Sequence, residues 1–453
     1  MTQNGSTMAM ALLASILALL VPSAGADDWP QWLGAQRDGM WRESGILESF
    51  PEGGPAERWS TPIHGGYAGP AVADGRVFVT DFVRDPNGAG EVAGKTHPNT
   101  NYRRGAIAGQ ERLLCLNEAD GKILWIQTRP TTYTHAKLYA NGPRTTPLVD
   151  GDRVYTLGAE GRLLCVDVKT GTKRWSRELK TDYGIAAPTW GFAAHPIIDG
   201  DRLIALVGGE GTAVVAFHKL TGKELWRTLS CKNPGYAQLA ISKIGGHRQL
   251  LAWHGEALSS LQPETGGVNW ATPVKPKHEM TIGMPRQEGD LLYIMSWGCS
   301  RAFRLQADPL GAKLLWQADK RAGVGGQMNV PWIENGYIYA GDLRGIYRCV
   351  ELATGKRVWE TKGIFGKAKV WIGNVFTIKQ GGRFFLCSEL GDLIIARLTP
   401  QGYEEIDRAR IIEQTSVTGG KPIWWSHPAF ANRSIYLRND RAIHCYSLAT
   451  ANE

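Results

Sequence analysis

The sequence predicts an all-β protein, an eight-bladed β-propeller of four-stranded antiparallel blades closed by an N-terminal strand. Three observations predict this fold. An eleven-residue motif recurs along the chain, turn signals separate short apolar strands, and a strand missing at one end of the chain is present at the other. No segment of ten or more residues has convincing helical periodicity. A closed array of repeats can hold a chain of this length in one domain.

The recurring motif runs from a small residue through Thr-Gly to Trp, as in Cys165-Val-Asp-Val-Lys-Thr-Gly-Thr-Lys-Arg-Trp175. Further copies span Cys115–Trp125, Ala216–Trp226, Ser260–Trp270 and Cys349–Trp359. Two degraded copies end at Trp316 and, with Ile in place of Trp, at Ile406. The closing positions lie 43 to 51 residues apart, which is the length of one four-stranded blade.

Short apolar strands precede each motif, and Asp-Gly pairs such as Asp74-Gly75 and Asp150-Gly151 divide them. These pairs are typical of hairpin turns, because Gly readily adopts positive φ. The last repeat has its second and third strands, Ser434–Leu437 and Ile443–Tyr446, but the chain ends before an outer strand. We expect Glu57–Pro62, with Trp59, to supply that strand and to close the ring, since closure removes two exposed sheet edges.

The predicted domains are a signal peptide at 1–26, an N-terminal extension at 27–56 that packs on the propeller, and the propeller itself at 57–453. An apolar core followed by Ala24-Gly-Ala26 indicates a cleavable signal, although no Lys or Arg precedes the core and translation could start at Met1 or Met8. This apolar core is too short to span a bilayer, and no other stretch approaches about twenty apolar residues. The sequence therefore predicts a periplasmic or secreted protein.

The net charge of +8 is spread without runs of Lys or Arg, so nucleic acid is not an expected partner. Seven cysteines are present. Cys115, Cys165, Cys349 and Cys445 share one motif position in equivalent strands, where we expect buried, unbonded thiols, because neighbouring blades are too far apart for a disulfide. The odd total leaves at least one thiol unpaired or intermolecular. No zinc-type spacing of Cys and His occurs in the sequence.

The Thr-Gly-(x)3-Trp repeats resemble those of pyrroloquinoline-quinone (PQQ) type propellers over nearly the whole mature chain. The segment Asp28–Gly34, Asp-Trp-Pro-Gln-Trp-Leu-Gly, with Arg37-Asp-Gly39, resembles the leader of an exported PQQ-like subgroup of unassigned activity. The resemblance implies that the repeated Trp docks between blades and is structural. It does not imply that the repeat binds quinone.

Two groups share this repeat, the quinoprotein dehydrogenases and the lipoprotein propeller of the outer-membrane barrel-assembly machinery. The sequence lacks the adjacent Cys-Cys pair of alcohol-oxidising quinoproteins, and their calcium-ligand and catalytic-Asp motifs have no counterpart that can be matched residue by residue. It also lacks a Cys at the signal cleavage site, which the lipoprotein needs for acylation. No cofactor is expected, except PQQ with calcium if the chain is a dehydrogenase.

Because the Asp-Gly and Thr-Gly turns share one end of the barrel, the irregular loops lie at the other end, called here the loop face. The longest predicted loops are Val83–Gln110, Ile126–Thr146, Ser176–His195 and Arg408–His427, and they carry His97 and His135 among other residues. The candidate binding residues on this face are Arg144, Trp190, His254, Trp297, Asp342, Trp425 and His427. Trp, His and Arg suit a planar or anionic ligand, although the same side chains could simply satisfy one another.

Three functions remain open from the sequence. The first is a non-catalytic exported scaffold, expected to be monomeric, that binds a protein or small ligand on the loop face. The second is a PQQ-dependent alcohol or sugar dehydrogenase with a divergent site, in which Asp342 would act as base. The third is an assembly factor for outer-membrane proteins. No catalytic residue and no metal site are predicted for the first, which we favour.

Overall fold

Eight blades of four antiparallel strands, one of them extended by a short fifth strand, form the core of a computed structural model of the chain and confirm the predicted eight-bladed propeller. The structure describes residues 27–87, 91–92, 103–104, 106–134, 142–276, 280–297, 299–319, 324–326, 328–370, 372–418 and 420–450. The predicted signal peptide, His97 and His135 lie outside these ranges. No helix within them is long and apolar enough to cross a membrane.

The first four blades follow one another along the chain, each from its inner to its outer strand. Blade 1 comprises Ala71–Ala73, Arg76–Arg84, Ile107–Asn117 and Ile123–Tyr133. Blade 2 comprises Leu148–Asp150, Arg153–Leu157, Arg162–Asp167 and Lys173–Glu178. Blade 3 comprises Ile197–Asp199, Arg202–Leu206, Val214–His218 and Glu224–Thr228. Blade 4 comprises Ala240–Ile244, His247–Trp253, Ala257–Leu261 and Val268–Pro273.

The second half repeats the arrangement. Blade 5 comprises Arg286–Glu288, Leu291–Ser296, Cys299–Ala307 and Leu310–Asp319. Blade 6 comprises Trp332–Glu334, Tyr337–Asp342, Ile346–Glu351 and Arg357–Thr361. Blade 7 comprises Val375–Gln380, Arg383–Ser388, Asp392–Thr399 and Gly402–Arg410. Blade 8 comprises Ala429–Ala431, Ser434–Arg438, Ala442–Ser447 and Glu57–Pro62.

A few short elements lie outside this pattern. They are a helix at Leu179–Tyr183, a 3₁₀ turn at Leu343–Gly345, a hairpin of Glu91–Val92 with Arg103–Arg104, and a hairpin of Ser416–Thr418 with Lys421–Ile423. Met40–Trp41 pairs in parallel with the inner strand of blade 7.

Blade 8 joins the two ends of the chain. Glu57–Pro62 pairs antiparallel with Ala442–Ser447, and Trp59 lies opposite Cys445. The predicted closing strand is therefore present, and strands from both halves of the chain contribute to one sheet. Glu57–Pro62 is the outer strand of that sheet.

The repeated Trp of one blade docks on the Thr-Gly turn of the next. Trp125 of blade 1 donates from Nε1 to the carbonyl oxygen of Val168 in blade 2 at 3.2 Å. A Cβ on Gly171 would lie 2.5 Å from the Trp125 ring, and Gly222 faces Trp175 at 2.7 Å in the same way. Glycine is needed at this turn both for its positive φ, 69° at Gly171, and for the close approach of the indole.

Two blades depart from this arrangement. Blade 5 has no Thr-Gly turn on which Trp270 of blade 4 could dock. Trp270 donates instead to Gln249 Oε1 within blade 4, at 3.2 Å. In blade 7 the expectation that Ile406 replaces the docking Trp is wrong. The strand register pairs Asp407 with Ile395, and Ile406 is the extra residue of the β-bulge. Asp407 Oδ2 accepts a hydrogen bond from the backbone N of Phe50 at 2.6 Å, so the N-terminal extension is held at this blade by a carboxylate.

Two of the predicted loops are partly strand. The second and third strands of blade 1 pair from Arg76 to Arg84, and its outer strand continues to Tyr133. Burial alternates along that outer strand, which is typical of a sheet with one packed face. Tyr133 stacks on Phe82 with ring centroids 4.3 Å apart and donates to Glu111 Oε1 at 2.9 Å, which fixes the end of the strand.

The motif cysteines are buried, as predicted, and are free thiols. Each lies on the third strand of its blade, and burial raises the pKa of the thiol, to about 12 at Cys115 and Cys165 and about 11 at Cys349 and Cys445. A thiol with so high a pKa is protonated and unreactive at neutral pH. These residues are packing groups.

The N-terminal extension occupies the central channel of the propeller. The extension forms hydrogen bonds with seven blades, at their inner strands or at the residues directly before or after those strands. The blade residues in these bonds are Val72, Val149, Pro196, Leu239, Arg286, Lys379 and Arg433. Leu33 and Arg37 adopt positive φ, 62° and 57°, a conformation that costs free energy in non-glycine residues. We call residues 27–50 the plug.

Candidate functional site

A cavity of about 550 Å³ opens where the central channel meets the loop face. Its walls come from the residues that lead into the inner strands, at the end of those strands opposite their Asp-Gly turns. The lining residues are Trp32, Tyr67, Arg144, Trp190, Ala193, His195, Tyr236, Gln238, Met280, Ile282, Trp297, Met328, Asn329, Val330, Ile372, Trp425 and His427. All eight blades and the plug contribute, so the cavity lies on the propeller axis.

The cavity brings together five of the seven predicted binding residues, namely Arg144, Trp190, Trp297, Trp425 and His427. The other two, His254 and Asp342, do not line it. His254 is 3% exposed, and its Nδ1 accepts a bond from the backbone N of Glu256 at 3.4 Å. Asp342 is also 3% exposed, forms an ion pair with Arg348 and accepts a bond from the backbone N of Gly325 at 3.0 Å.

The floor of the cavity is Trp32, which the plug presents from below. Its ring stacks on His195 with centroids 5.0 Å apart, meets His427 edge-on at 5.5 Å, and has the Arg37 guanidinium 5.6 Å from its centroid. Arg37 is held by the carbonyl oxygens of Pro196 and Leu239. Burial lowers the pKa of Arg37 to about 9, so this cation remains charged at neutral pH.

Both histidines in the lining are neutral. Burial lowers the pKa of His427 to about 3, and it lowers the pKa of His195 well below its ordinary value, with the charge of nearby Arg37 acting in the same direction. Gln238 Oε1 lies 2.8 Å from His195 Nδ1 and accepts from the His195 backbone N. An acceptor at this position places the proton of the imidazole on Nδ1. The rings act as flat packing surfaces rather than as proton carriers.

Arg144 is the one charged side chain among the described residues that line the cavity. Its guanidinium lies 5.7 Å from the centroid of Tyr67 and donates to the carbonyl oxygen of Gly142 at 2.5 Å. These contacts hold the cation at the rim against an aromatic face. An anionic group on a bound molecule would meet a positive charge here and no lining carboxylate.

The aromatic walls are also fixed by contacts behind them. Trp425 donates from Nε1 to Glu389 Oε2 at 3.0 Å, and Glu389 also accepts from the backbone N of Gly373 and of Asn374. Burial raises the pKa of Glu389, while these donors act in the opposite direction. Trp190 packs edge-on against Tyr236 with centroids 5.5 Å apart. The cavity is thus a preformed aromatic pocket.

The lining does not fit a calcium-bound quinone. Calcium takes six to eight oxygen ligands, often carboxylates, and no carboxylate lines the cavity in the described part of the chain. The two lining amides are already engaged, since Asn329 bonds to Val375 N and Gly341 O, and Gln238 bonds to His195. Among the described residues no group of three or more His, Cys, Asp or Glu side chains could hold a metal ion.

Sequence reasoning missed Trp32, Tyr67, His195 and Tyr236, yet a signal for the wall residues is present. In six blades a Pro directly precedes the inner strand, at positions 70, 147, 196, 285, 331 and 428. The residue three before that Pro lines the cavity in every case: Tyr67, Arg144, Ala193, Ile282, Met328 and Trp425. The third residue before this Pro is therefore a repeated position that lines the cavity. It is less conspicuous in the sequence than the Thr-Gly-Trp motif.

This chain is similar to several curated proteins and to solved structures, among them the following. The outer membrane protein assembly factor BamB of Alkalilimnicola ehrlichii is 27% identical over 222 residues, 45% of this chain and 49% of that protein. Quinohemoprotein alcohol dehydrogenase ADH-IIG of Pseudomonas putida is 27% identical over 160 residues, 34% of this chain and 21% of that protein. The chain thus spans about half of the first relative and a fifth of the second.

The crystal structure of BamB from Moraxella catarrhalis shares the fold, with a TM-score of 0.51 at 16% identity over 81% of this chain and 98% of that one. A family model described as outer membrane protein assembly factor BamB matches residues 51–182 and 109–361. The two overlapping matches cover more than half of the sequence. The chain therefore belongs to the PQQ-like β-propeller family that this model represents.

Proposed function

We propose that this chain is a non-catalytic scaffold of the cell envelope that binds its partner on the loop face, with the pocket at the channel mouth as the centre of that surface. The observation that carries the proposal is the lining of the pocket. Among the residues that the structure describes, it combines fixed aromatic walls with one cation and contains no ionised acid or titrating histidine that could serve as a general base.

The pocket has the properties of a recognition site. Four Trp and two Tyr line it, together with Met280 and Met328, and such side chains offer large contact areas to apolar groups. Its walls are held in place by Glu389 and Tyr236, so little ordering is needed on binding. We expect a flat apolar group to enter it, either a small molecule or a side chain of a protein partner, with an anionic group favoured near Arg144.

A second candidate, assembly of outer-membrane proteins, is supported by the family match and by the BamB relative. It agrees with an envelope location and with a surface that binds protein. It differs from the first proposal only in naming the partner. That partner is inferred from the activity of the relative as a whole, and this chain spans about half of the relative's length.

Photo-crosslinking in cells that export the protein tests both candidates. A benzophenone amino acid would replace Trp297, which is half-buried at the rim of the pocket, and, as the control, Lys169, which is exposed in a Thr-Gly turn on the opposite face. We expect ultraviolet light to produce specific adducts from position 297 and few from position 169. Mass spectrometry of the adducts then identifies the partner.

Outer-membrane assembly components among the adducts from position 297 would support the second candidate. Adducts from position 169 alone, or equal adducts from both positions, would overturn the assignment of the loop face. Dye reduction with an alcohol or sugar, after addition of PQQ and calcium to the purified protein, would overturn the non-catalytic proposal.

A further inference from the structure

The first described residue of the plug makes a specific contact with a buried acid. The backbone nitrogen of Asp27 lies 2.9 Å from Glu43 Oε1. Asp27 is also the residue that follows the predicted cleavage site, Ala24-Gly-Ala26. The atom that cleavage would convert from an amide nitrogen into the terminal amine is therefore already at hydrogen-bond distance from a carboxylate.

Glu43 is 5% exposed, and the donors that it receives from the other described residues are neutral. Trp41 Nε1 donates to Oε2 at 2.6 Å, and the backbone N of Arg433 donates to the same oxygen at 2.7 Å. No Lys, Arg or His side chain within the described ranges forms an ion pair with Glu43. A buried carboxylate without a cationic partner is costly, because burial removes its hydration.

The surroundings of this contact are acidic as well. Asp28 accepts a hydrogen bond from the backbone N of Asp74 at 3.2 Å, and the pKa of Asp28 is raised by burial, with Glu118, Asp74 and Asp27 adding to the rise. Arg76 lies near this group through its 3.4 Å ion pair with Asp74. A new positive charge at residue 27 would therefore be placed among carboxylates.

We propose that cleavage after Ala26 generates the missing cation, and that the terminal ammonium of Asp27 forms a partly buried ion pair with Glu43 that fixes the plug in the channel. Water adds across the Ala26–Asp27 peptide bond, leaving a carboxylate on Ala26 and an amine on Asp27 that takes up a proton. An amide N–H donates one hydrogen bond, whereas the ammonium donates up to three and carries a charge.

This inference goes beyond the proposed function and does not depend on what the loop face binds. It links export to the binding site, because the plug that the ion pair would hold also presents Trp32 as the floor of the pocket. In the precursor the same nitrogen is a neutral amide, so the pocket floor would be fully anchored only after export and cleavage.

The test measures the reactivity of the terminal amine on the exported protein. Mass spectrometry first identifies the N-terminal residue, and acetic anhydride at pH 8 then labels amines for a fixed time. A terminal amine has a pKa of about 8 in the absence of partners. An ion pair with Glu43 raises that pKa and shields the amine, so we expect labelling of Asp27 to be at least about tenfold slower than in Glu43→Gln, one pKa unit corresponding to a factor of ten.

Glu52→Gln, which removes an exposed acid from the same N-terminal extension, is the matched control and should label as slowly as the native protein. A chain that begins with one Gly before Asp27 covers the case in which Glu43→Gln does not fold. It keeps the amide at residue 27 and moves the amine by about 3.8 Å, so it should label fast. A different N-terminal residue, or equal labelling rates in the native, Glu43→Gln and Gly-extended proteins, would overturn the proposal.

Discussion

The outer ring of the propeller and the mouth of its channel both use tryptophan, but in different environments. In the ring, Trp175 donates to the carbonyl oxygen of Lys219 at 2.9 Å and packs on Gly222, a contact that recurs from blade to blade. At the channel mouth, Trp190 packs against Tyr236 and faces an open cavity of about 550 Å³. The same residue type is structural where its environment repeats and is available for binding where it does not.

Because of this difference, the sequence predicts the outer ring well and the channel mouth less well. Every docking Trp must satisfy the same geometry, so it leaves a periodic trace. At the mouth the eight blades surround one shared space, and each contributes a different side chain to it. A ring of identical residues would make a symmetrical pocket, whereas the observed ring places Arg144 on one blade and aromatic or apolar residues on the others.

Replacement of Trp175 and of Trp190 by alanine should give the largest difference between the structural tryptophan and the tryptophan of the pocket. Trp175→Ala removes a ring that is 8% exposed and should lower the free energy of unfolding by about 3–5 kcal/mol, as large-to-small core changes do. Trp190→Ala should cost less than about 1 kcal/mol, because its ring borders a cavity. Urea unfolding of both variants measures the difference, and equal losses would contradict the distinction.

The glycine on which each tryptophan docks should be nearly as sensitive. Gly171→Ala introduces a Cβ 2.5 Å from the Trp125 ring and should cost about 2–4 kcal/mol, from strain at positive φ and displacement of the indole. Gly151→Ala, in the Asp-Gly turn of the same blade, has φ of 57° and nothing within 4 Å of the new Cβ. It should cost only about 1 kcal/mol. Thermal unfolding of the pair isolates the docking contact.

The neutral histidines of the pocket should make stability depend on pH. The pKa of His427 is about 3 in the folded protein and ordinarily 6.5, so below pH 6.5 only the unfolded chain takes up the proton. The contribution of the neutral ring to the free energy of unfolding is complete above pH 6.5. Below that pH it falls by about 1.4 kcal/mol per pH unit for each such histidine. Unfolding at pH 7 and pH 5 should show a smaller loss in His427→Gln than in the native protein. An equal loss would mean that the ring is accessible and charged.

Arg144→Gln should have the smallest effect on stability and a selective effect on binding. Its charge is half-buried at the rim, so the free energy of unfolding should change by less than about 1 kcal/mol. Binding of an anionic aromatic dye, anilinonaphthalene sulfonate, should weaken several-fold, whereas binding of the uncharged phenylnaphthylamine should not. Equal effects on both dyes would show that Arg144 does not face the bound molecule.

Most of the fold could be predicted from the sequence because its determinants are local and periodic. The Thr-Gly-Trp motif, the Asp-Gly turns and the closing strand at Glu57–Pro62 each leave a trace within a few residues. The prediction for Ile406 is wrong because the turn between the third and outer strands of blade 7 is two residues longer than in the intact copies: Asp407 lies opposite Ile395, twelve residues away, whereas Trp175 lies opposite Cys165, ten residues away. The end of blade 1 was misassigned because its strands extend as far as Tyr133, where contacts to Phe82 and Glu111 hold them.

The candidate site could be predicted only in part, because its residues come from all eight blades and from the plug. Five of seven candidates line the pocket, since loops at one end of a barrel converge there. His254 and Asp342 are expected on shorter loops of the same face, but both are buried and bond to neighbouring backbone groups instead. Trp32 lies in a segment whose sequence resembles a leader. Nothing in its local sequence indicates that the extension enters the channel and that this ring becomes the pocket floor.

We propose that recognition is located at the channel mouth and not in the repeated framework. A fluorescence titration with anilinonaphthalene sulfonate on the native protein, Trp190→Ala and Trp175→Phe tests it most directly. We predict one saturable site in the native protein, at least a tenfold loss of affinity in Trp190→Ala, and unchanged affinity in Trp175→Phe despite its lower stability. Unchanged affinity in Trp190→Ala, or an equal loss in both variants, would contradict the claim.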